Sequence, residues 1–167
     1  MYVRTTGGGI LVCPEMTYQL DILEPLLYRP SPDDVKPNVV VRKTYWLRDE
    51  SASVYRRASL VLSLECHSPI IAAAAGAPCI YVHQPEDGIK VQIIQTWGWA
   101  IVIFKSSNRQ TRPLAARVLE ITGNPVAAAR RVNEAVHFAR NKQSQAMRAV
   151  TASADRANAS SHAPAVG

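Results

Sequence analysis

The sequence predicts a single α/β domain, a Rossmann-like parallel sheet of about five strands flanked by helices. Short apolar runs alternate along the chain with stretches of helical pattern, which is typical of βαβ units. The apolar runs are rich in Val, Ile and Leu and alternate little with polar residues, as strands buried on both faces do. A length of 167 residues with 47% hydrophobic residues is sufficient for one domain with its own core.

Five strands and six helices are predicted in order along the chain. The strands are Ile10–Pro14, Asn38–Arg42, Leu60–Leu64, Cys79–Val82 and Ala100–Phe104. The helices between them, each beginning near a residue that can cap free N–H groups, are Thr17–Leu27, Asp49–Arg57, Ser68–Ala75 and Asp87–Trp97. Two more helices close the domain, and they are Arg112–Thr122 and Pro125–Ala149, with Gly123 and Asn124 as the stop and cap between them.

The segments outside this pattern are expected to be flexible. Residues 1–9 are a predicted flexible N-terminus, residues 10–149 the domain, and residues 150–167 a disordered tail without aromatic residues. Three glycines at positions 7–9 precede the first strand, whereas a dinucleotide-binding loop places its glycines after the strand. Because the first strand begins near residue 10, we expect the lobe that would face this domain across a cleft to be missing.

The formal net charge of +6 comes from the C-terminal part of the sequence. From Lys105 onward there are ten Lys and Arg against three Asp and Glu, whereas residues 1–104 hold nine against ten. The arginines are spread along amphipathic helical pattern without interleaved aromatic residues, which favours a solvated helix face over a nucleic-acid groove. We therefore expect no nucleic-acid partner.

The cysteine pattern and the absence of targeting segments predict a cytoplasmic protein without a membrane span. Cys13, Cys66 and Cys79 form no CxxC pair and lie in or beside apolar runs, which indicates reduced thiols. No run reaches the roughly 18–20 apolar residues of a membrane span, and the N-terminus lacks an apolar signal core. No spacing of His, Cys, Asp and Glu suits a closed metal site, so we expect neither a metal nor a cofactor.

Polar residues follow four of the predicted strands, at the edge where parallel sheets place their ligands. In chain order the candidate binding residues are Glu15, Arg42, Glu65, Ser68, Gln84 and Lys90, with His67 as the candidate catalytic residue. Because the carboxyl ends of parallel strands meet at one edge, these side chains are expected to share one rim.

His67 is the sharpest candidate of the rim. It lies where the third strand passes into an Ala-rich helix, whose free N–H groups favour an anion. A lone histidine is more often structural, but the strand-end position and the neighbouring Glu65 are features of a functional histidine. A contact between Glu65 and His67 is expected to fix the imidazole tautomer.

The segment Ala58–Tyr81, with Ser63-Leu64-Glu65-Cys66-His67 and the run Ala72–Pro78, resembles the C-terminal domain of the polysaccharide pyruvyl transferase family. The resemblance extends from about Ile10 to Met147 and includes the segments Pro14–Tyr18, Tyr45–Glu50 and Gln84–Lys90. It implies one lobe of a two-lobed, glycosyltransferase-B-like enzyme of exopolysaccharide biosynthesis. Such an enzyme transfers a pyruvyl group from phosphoenolpyruvate to two hydroxyls of a saccharide acceptor, and His67 would be its general acid/base. As a partial chain, it is expected to have little activity alone.

One residue departs from the family pattern, in which an arginine stands two positions before the histidine. Glu65 occupies that position here, and a carboxylate facing a trianionic donor requires a compensating charge from Arg42, Lys43 or Lys90. Two alternatives therefore stay open beside pyruvyl transfer. One is a lobe of a nucleotide-sugar-dependent glycosyltransferase, in which Glu65 accepts hydrogen bonds from a sugar or ribose, and the other is a non-catalytic remnant or interaction module.

Overall fold

The computed structural model describes residues 1–84, 87–88, 101–105 and 111–161. Its five strands are β1 (Ile10–Val12), β2 (Val39–Val41), β3 (Val61–Ser63), β4 (Cys79–His83) and β5 (Ile101–Lys105). Its α-helices are α1 (Tyr2–Thr6), α2 (Leu20–Leu23), α3 (Arg48–Tyr55), α4 (His67–Ala74), α5 (Thr111–Gly123) and α6 (Pro125–Ser161). Within the described residues, the mixed α/β fold and the parallel pairing of its strands are therefore confirmed.

Hydrogen bonds join the five strands as two parallel sheets, so the expectation of one sheet of about five strands is corrected. β1 pairs with β2 from Ile10↔Val39 to Val12↔Val41. The second sheet has the order β3-β4-β5. β1 ends at Val12, two residues before Pro14, whose ring nitrogen has no hydrogen to donate to a neighbouring strand. The end of β1 is instead connected to β3 through the side chains of Glu15 and Ser63.

Helices cover both faces of β4, whose first three residues are buried. Cys79 and Tyr81 point to one face, where they pack with residues of α3, α4 and α6. Ile80 points to the opposite face, where it packs with Ile121 of α5 and Ala128 of α6. This alternation follows from the two-residue period of a strand.

Helix α4 begins shortly after β3 ends, and the small residues of α4 explain why this helix lies close to the sheet. Ala72 and Ala73 are fully buried. The helix ends at Ala74, Gly76 follows with φ +85°, and the Ala77 N–H donates to the Ala72 carbonyl at 2.9 Å. This left-handed ending favours glycine and turns the chain through Pro78 into β4, as the sequence predicted.

The segment predicted as one helix from Thr17 to Leu27 changes its helical type twice. A 3-10 turn at Thr17–Gln19 precedes α2, and a π-helical turn follows at Glu24–Tyr28. Pro25 has no N–H for a regular helical bond, and the Arg29 N–H donates to the Glu24 carbonyl five residues back. The predicted helix is therefore present as a continuous helical segment of mixed type.

Both chain ends hold more helix than the sequence predicted. Within residues 1–9, expected to be flexible, α1 buries Val3 and fixes Arg4 against Asp34 at 2.7 Å. Helix α6 begins at Pro125 as predicted, but it runs to Ser161 instead of ending at Ala149. Alanine-rich sequence favours helix, and the hydroxyls of Thr151 and Ser153 donate to carbonyls four residues back. The division into a domain and flanking segments stays a prediction.

Two other predictions concern a fourth interstrand helix and the absence of a membrane span. The predicted helix Asp87–Trp97 lies outside the described residues, except for its first two positions. Among the described helices, none is both long enough and apolar enough to cross a membrane.

Candidate functional site

The carboxyl ends of β1, β3 and β4 bring several of the predicted site residues together. Glu15 follows β1, Glu65 and His67 follow β3, and Gln84 follows β4. We call this edge of the fold the rim. Its chemistry depends on which of these side chains are free and which are held by neighbours.

Glu15 lies in the centre of the rim and is held by two serine hydroxyls. The Ser63 Oγ lies 2.8 Å from both carboxylate oxygens of Glu15 and also accepts the Glu65 N–H at 2.9 Å. Ser68 provides a second hydrogen bond to the same carboxylate. Burial raises the pKa of Glu15, the two serine bonds oppose this shift, and the nearby charge of Glu65 adds to it.

A buried tyrosine extends this network into the core. The Tyr55 hydroxyl donates to the Ser68 Oγ at 2.9 Å, and burial raises the pKa of Tyr55 to about 12. Its ring packs edge-on against Trp46, with the ring centroids 5.6 Å apart. A chain of hydrogen bonds thus runs from Tyr55 through Ser68 to Glu15, which fixes the first turn of α4 to the end of β1.

Glu65 does not contact His67, so the expected carboxylate–imidazole bond is wrong. Its Oε1 instead accepts a hydrogen bond from the Tyr18 hydroxyl at 3.4 Å, and Tyr18 is largely exposed. The side chain of Glu65 is partly exposed. Its carboxylate is therefore accessible to a ligand that offers hydroxyl groups.

His67 is the first residue of α4, and its side chain is exposed. Its Nδ1 lies 3.7 Å from the Sγ of Cys66, the residue that precedes the helix. The imidazole of His67 has no packing role in the core. The residues that α4 buries are Ser68, Pro69, Ala72 and Ala73. His67 is therefore available to a ligand at the rim.

Arg42 is held by several neighbours on the β2 side. Its Nη2 lies 2.7 Å from Glu50 Oε1, its Nε donates to the Thr44 carbonyl at 2.9 Å, and its guanidinium lies 5.2 Å from the centroid of the Trp46 ring. About a quarter of the side chain, 24%, is exposed. Arg42 can thus bind an anionic ligand only if its guanidinium contacts Glu50 and the ligand together, or if its ion pair with Glu50 breaks.

The end of β4 is organised by Asp87. Its Oδ2 accepts hydrogen bonds from the Tyr81 hydroxyl at 2.6 Å and from the Gln84 backbone N–H at 2.7 Å. Burial, with Asp87 as a second cause, raises the pKa of Tyr81. The Gln84 side chain is partly buried at this turn. Lys90, the other residue predicted for this part of the rim, lies outside the described residues.

The thiols of Cys13 and Cys79 lie in the core beneath the rim. Burial raises the pKa of Cys13 to about 11, partly opposed by the charge of Arg42. Burial also raises the pKa of Cys79 well above its ordinary value. Within the described ranges, no group of three or more His, Cys, Asp or Glu is arranged to hold a metal ion.

The sequence reasoning missed Tyr18, Tyr55 and Ser63 as members of the network. Only Ser63 carried a signal, because a hydroxyl in the middle of a buried strand requires a hydrogen-bond partner. Trp46 is buried at 6% exposure and packs on Tyr55 in the core, so its ring is not available to stack on a sugar.

No protein-family model matches the chain, and no curated protein matches it either. The fold is similar to a solved structure described as the glycotransferase of kitacinnamycin, with a TM-score of 0.48 and 14% sequence identity. The similar region covers 76% of this chain and 38% of that one, so this chain spans less than half the length of that neighbour.

Proposed function

We propose that the rim is the donor site of a pyruvyl transferase-like enzyme, with His67 as its general acid/base. The single observation that carries the proposal is the exposed imidazole at the first residue of α4, beside a partly exposed carboxylate and above a fixed network. Histidine is the side chain that most readily gives and takes a proton near neutral pH. The resemblance of Ala58–Tyr81 to the pyruvyl transferase family supports the same role.

In the proposed reaction all bonds and protons are accounted for with His67 as the one group that transfers a proton. One hydroxyl of the saccharide bonds to C2 of phosphoenolpyruvate while C3 takes a proton from His67, and the imidazole recovers a proton from that hydroxyl. The second hydroxyl then replaces phosphate at C2, and its proton leaves with the phosphate. The products are a cyclic pyruvyl ketal and inorganic phosphate, and no redox partner is needed.

The charge of the donor sets a requirement on Arg42. Phosphoenolpyruvate brings a carboxylate and a phosphate close to Glu65, which is unfavourable unless a cation binds them. Arg42 would meet the requirement by exchanging Glu50 for the donor. Lys43, whose side chain is 80% exposed and 3.8 Å from Glu24, is a second available cation beside it.

A second candidate function is supported by the same carboxylates. Glu65 is accessible and accepts a hydroxyl hydrogen bond from Tyr18, which is the type of bond that a sugar or ribose hydroxyl would make. Arg42 is already paired with Glu50, so a ligand with less charge than phosphoenolpyruvate would disturb the rim less. This candidate is a lobe that binds a nucleotide sugar as the donor of a glycosyl group.

Isothermal titration calorimetry separates the two candidates. Phosphoenolpyruvate, UDP-glucose and GDP-mannose are titrated into the unmodified chain, into His67→Ala and into His137→Ala. His137 is an exposed histidine on α6 and is not one of the predicted rim residues, so it serves as the matched control.

Pyruvyl donor binding predicts a saturable phosphoenolpyruvate response that is lost in His67→Ala and retained in His137→Ala. Saturable binding of a nucleotide sugar without a phosphoenolpyruvate response would move the assignment to the glycosyl donor. If none of the three compounds binds, both proposals fail and the interaction module remains.

A further inference from the structure

A cavity of about 100 Å³ lies at the amino end of β4, between α5 and α6. Pro78 and Cys79 form its wall on the side of the sheet. The five residues of β4 separate it from the rim by about 13 Å, since a strand rises about 3.3 Å per residue. It is therefore a separate feature from the candidate donor site.

Hydrogen-bond donors dominate the polar lining of this cavity. Arg131 lines it, is half-buried and has no hydrogen-bond or ion-pair partner within the described part of the chain. Arg117 also lines it and is paired with Glu120 through one of its nitrogens. The side-chain oxygen of Asn124 accepts the Ala127 N–H at 3.1 Å, so the amide nitrogen is the donor that this residue offers.

The floor of the cavity is apolar. Cys79 and Val132 are each 1% exposed, and Ile121 is 9% exposed. A cavity that holds a single water needs only about 10–15 Å³, so this one has room for an anion of several heavy atoms. It is too small to enclose a nucleotide.

The charges around the cavity select the class of anion. Arg117 and Arg131 contribute two positive charges and Glu120 one negative charge, so the lining carries a net charge of +1. A monocarboxylate balances that charge and can lay its alkyl part on the apolar floor. A phosphate dianion would leave a negative charge unbalanced beside Glu120, and it has no alkyl part to bury.

We propose that this cavity binds a small monocarboxylate of two to four carbons. Arg131 holds the carboxylate as the principal donor, Arg117 and Asn124 complete the set of donors, and Ile121 and Val132 contact the alkyl part. Arginine is suited to this role because its planar guanidinium can donate two parallel hydrogen bonds to one carboxylate.

Propionate titration followed by protein NMR tests the proposal on the full chain. The expected result is saturable shifts of the amide signals of α5 and α6, with a dissociation constant in the millimolar range. Arg131→Gln is expected to weaken binding about tenfold or more, because it removes a charge-assisted bond. Arg130→Gln is the matched control, since Arg130 is exposed and paired with Glu134 at 3.5 Å, and it should bind as the unmodified chain does.

A second variant changes binding in the opposite direction. Glu120→Gln frees Arg117 and raises the net charge of the lining, so propionate should bind more tightly and phosphate should begin to compete. A fold defect would weaken binding in both variants, so the opposite signs identify the site. Absence of saturable shifts, equal binding in Arg131→Gln and Arg130→Gln, or tighter binding of phosphate than of propionate to the unmodified chain would overturn the proposal.

Discussion

Substitution of Ser68 by alanine tests the hydrogen-bond network beneath the rim. The Ser68 hydroxyl accepts from Tyr55 at 2.9 Å and binds the Glu15 carboxylate, so one substitution removes two buried bonds. The methyl group of alanine fits the space that the serine occupied, since Ser68 is 7% exposed on a helix that tolerates alanine. The change therefore isolates the loss of the hydroxyl.

The expected cost follows from the two bonds. The neutral bond from Tyr55 contributes about 1 kcal/mol, and the bond to the charged carboxylate of Glu15 about 1.5–3 kcal/mol. Ser68→Ala is therefore expected to lower the free energy of unfolding by roughly 2.5–4 kcal/mol at pH 8. Because the serine bond favours the ionised form of Glu15, its loss raises the pKa of Glu15 further, and the cost should be smaller at pH 4.

Urea unfolding followed by circular dichroism measures both values, with equal m-values confirming a common unfolding reaction. Ser144→Ala is the control, since Ser144 is an exposed serine in α6 and its loss should change stability by less than about 0.5 kcal/mol. If Ser68→Ala costs no more than Ser144→Ala, or costs more at pH 4 than at pH 8, the network does not stabilise the fold as described.

Two further predictions concern buried ionisable groups. Burial raises the pKa of Glu15, so its contribution to stability is complete below its ordinary pKa and is lost as pH rises through the raised value. In Glu15→Gln the urea midpoint should therefore depend less on pH between pH 4 and pH 8. An unchanged dependence on pH would contradict this prediction. Burial also raises the pKa of Cys13 to about 11 and that of Cys79 well above its ordinary value, so a thiol reagent at pH 8 should modify the native chain first at Cys66. The fast phase of thiol modification should disappear in Cys66→Ser, and its persistence in that variant would refute the assignment of this phase to Cys66.

The strands could be predicted because their apolar runs are bounded by turn residues. Each predicted strand is present within two residues of its expected limits, and α4 ends at Ala74, one residue before its predicted end at Ala75. The arrangement of the strands into two sheets could not be predicted, because it depends on which backbone groups meet in space.

The site could be predicted in position and less well in detail. Parallel strands place their ends together whatever their side chains, so Glu15, Glu65 and Gln84 follow strands at the same edge as expected. The bonds that hold them depend on residues far apart in the chain, such as the 47 positions between Tyr18 and Glu65. No local pattern contains such a pairing, which is why a contact between Glu65 and His67 was expected instead.

The distribution of charge along β4 makes the cations that follow β2, Arg42 and Lys43, decisive for the identity of the donor. The carboxyl end of the strand lies near Glu65 and Asp87, whereas the amino end lies near Arg117 and Arg131. About 13 Å separate the two ends, which exceeds the screening length of about 8 Å at physiological salt. Arg117 and Arg131 are therefore too far away to balance an anionic donor at the rim. Among the described residues on the β2 side, Arg42 and Lys43 are the cations that can supply this charge, and the bond between Arg42 and Glu50 is the interaction that a phosphoenolpyruvate donor has to replace in order to bind Arg42.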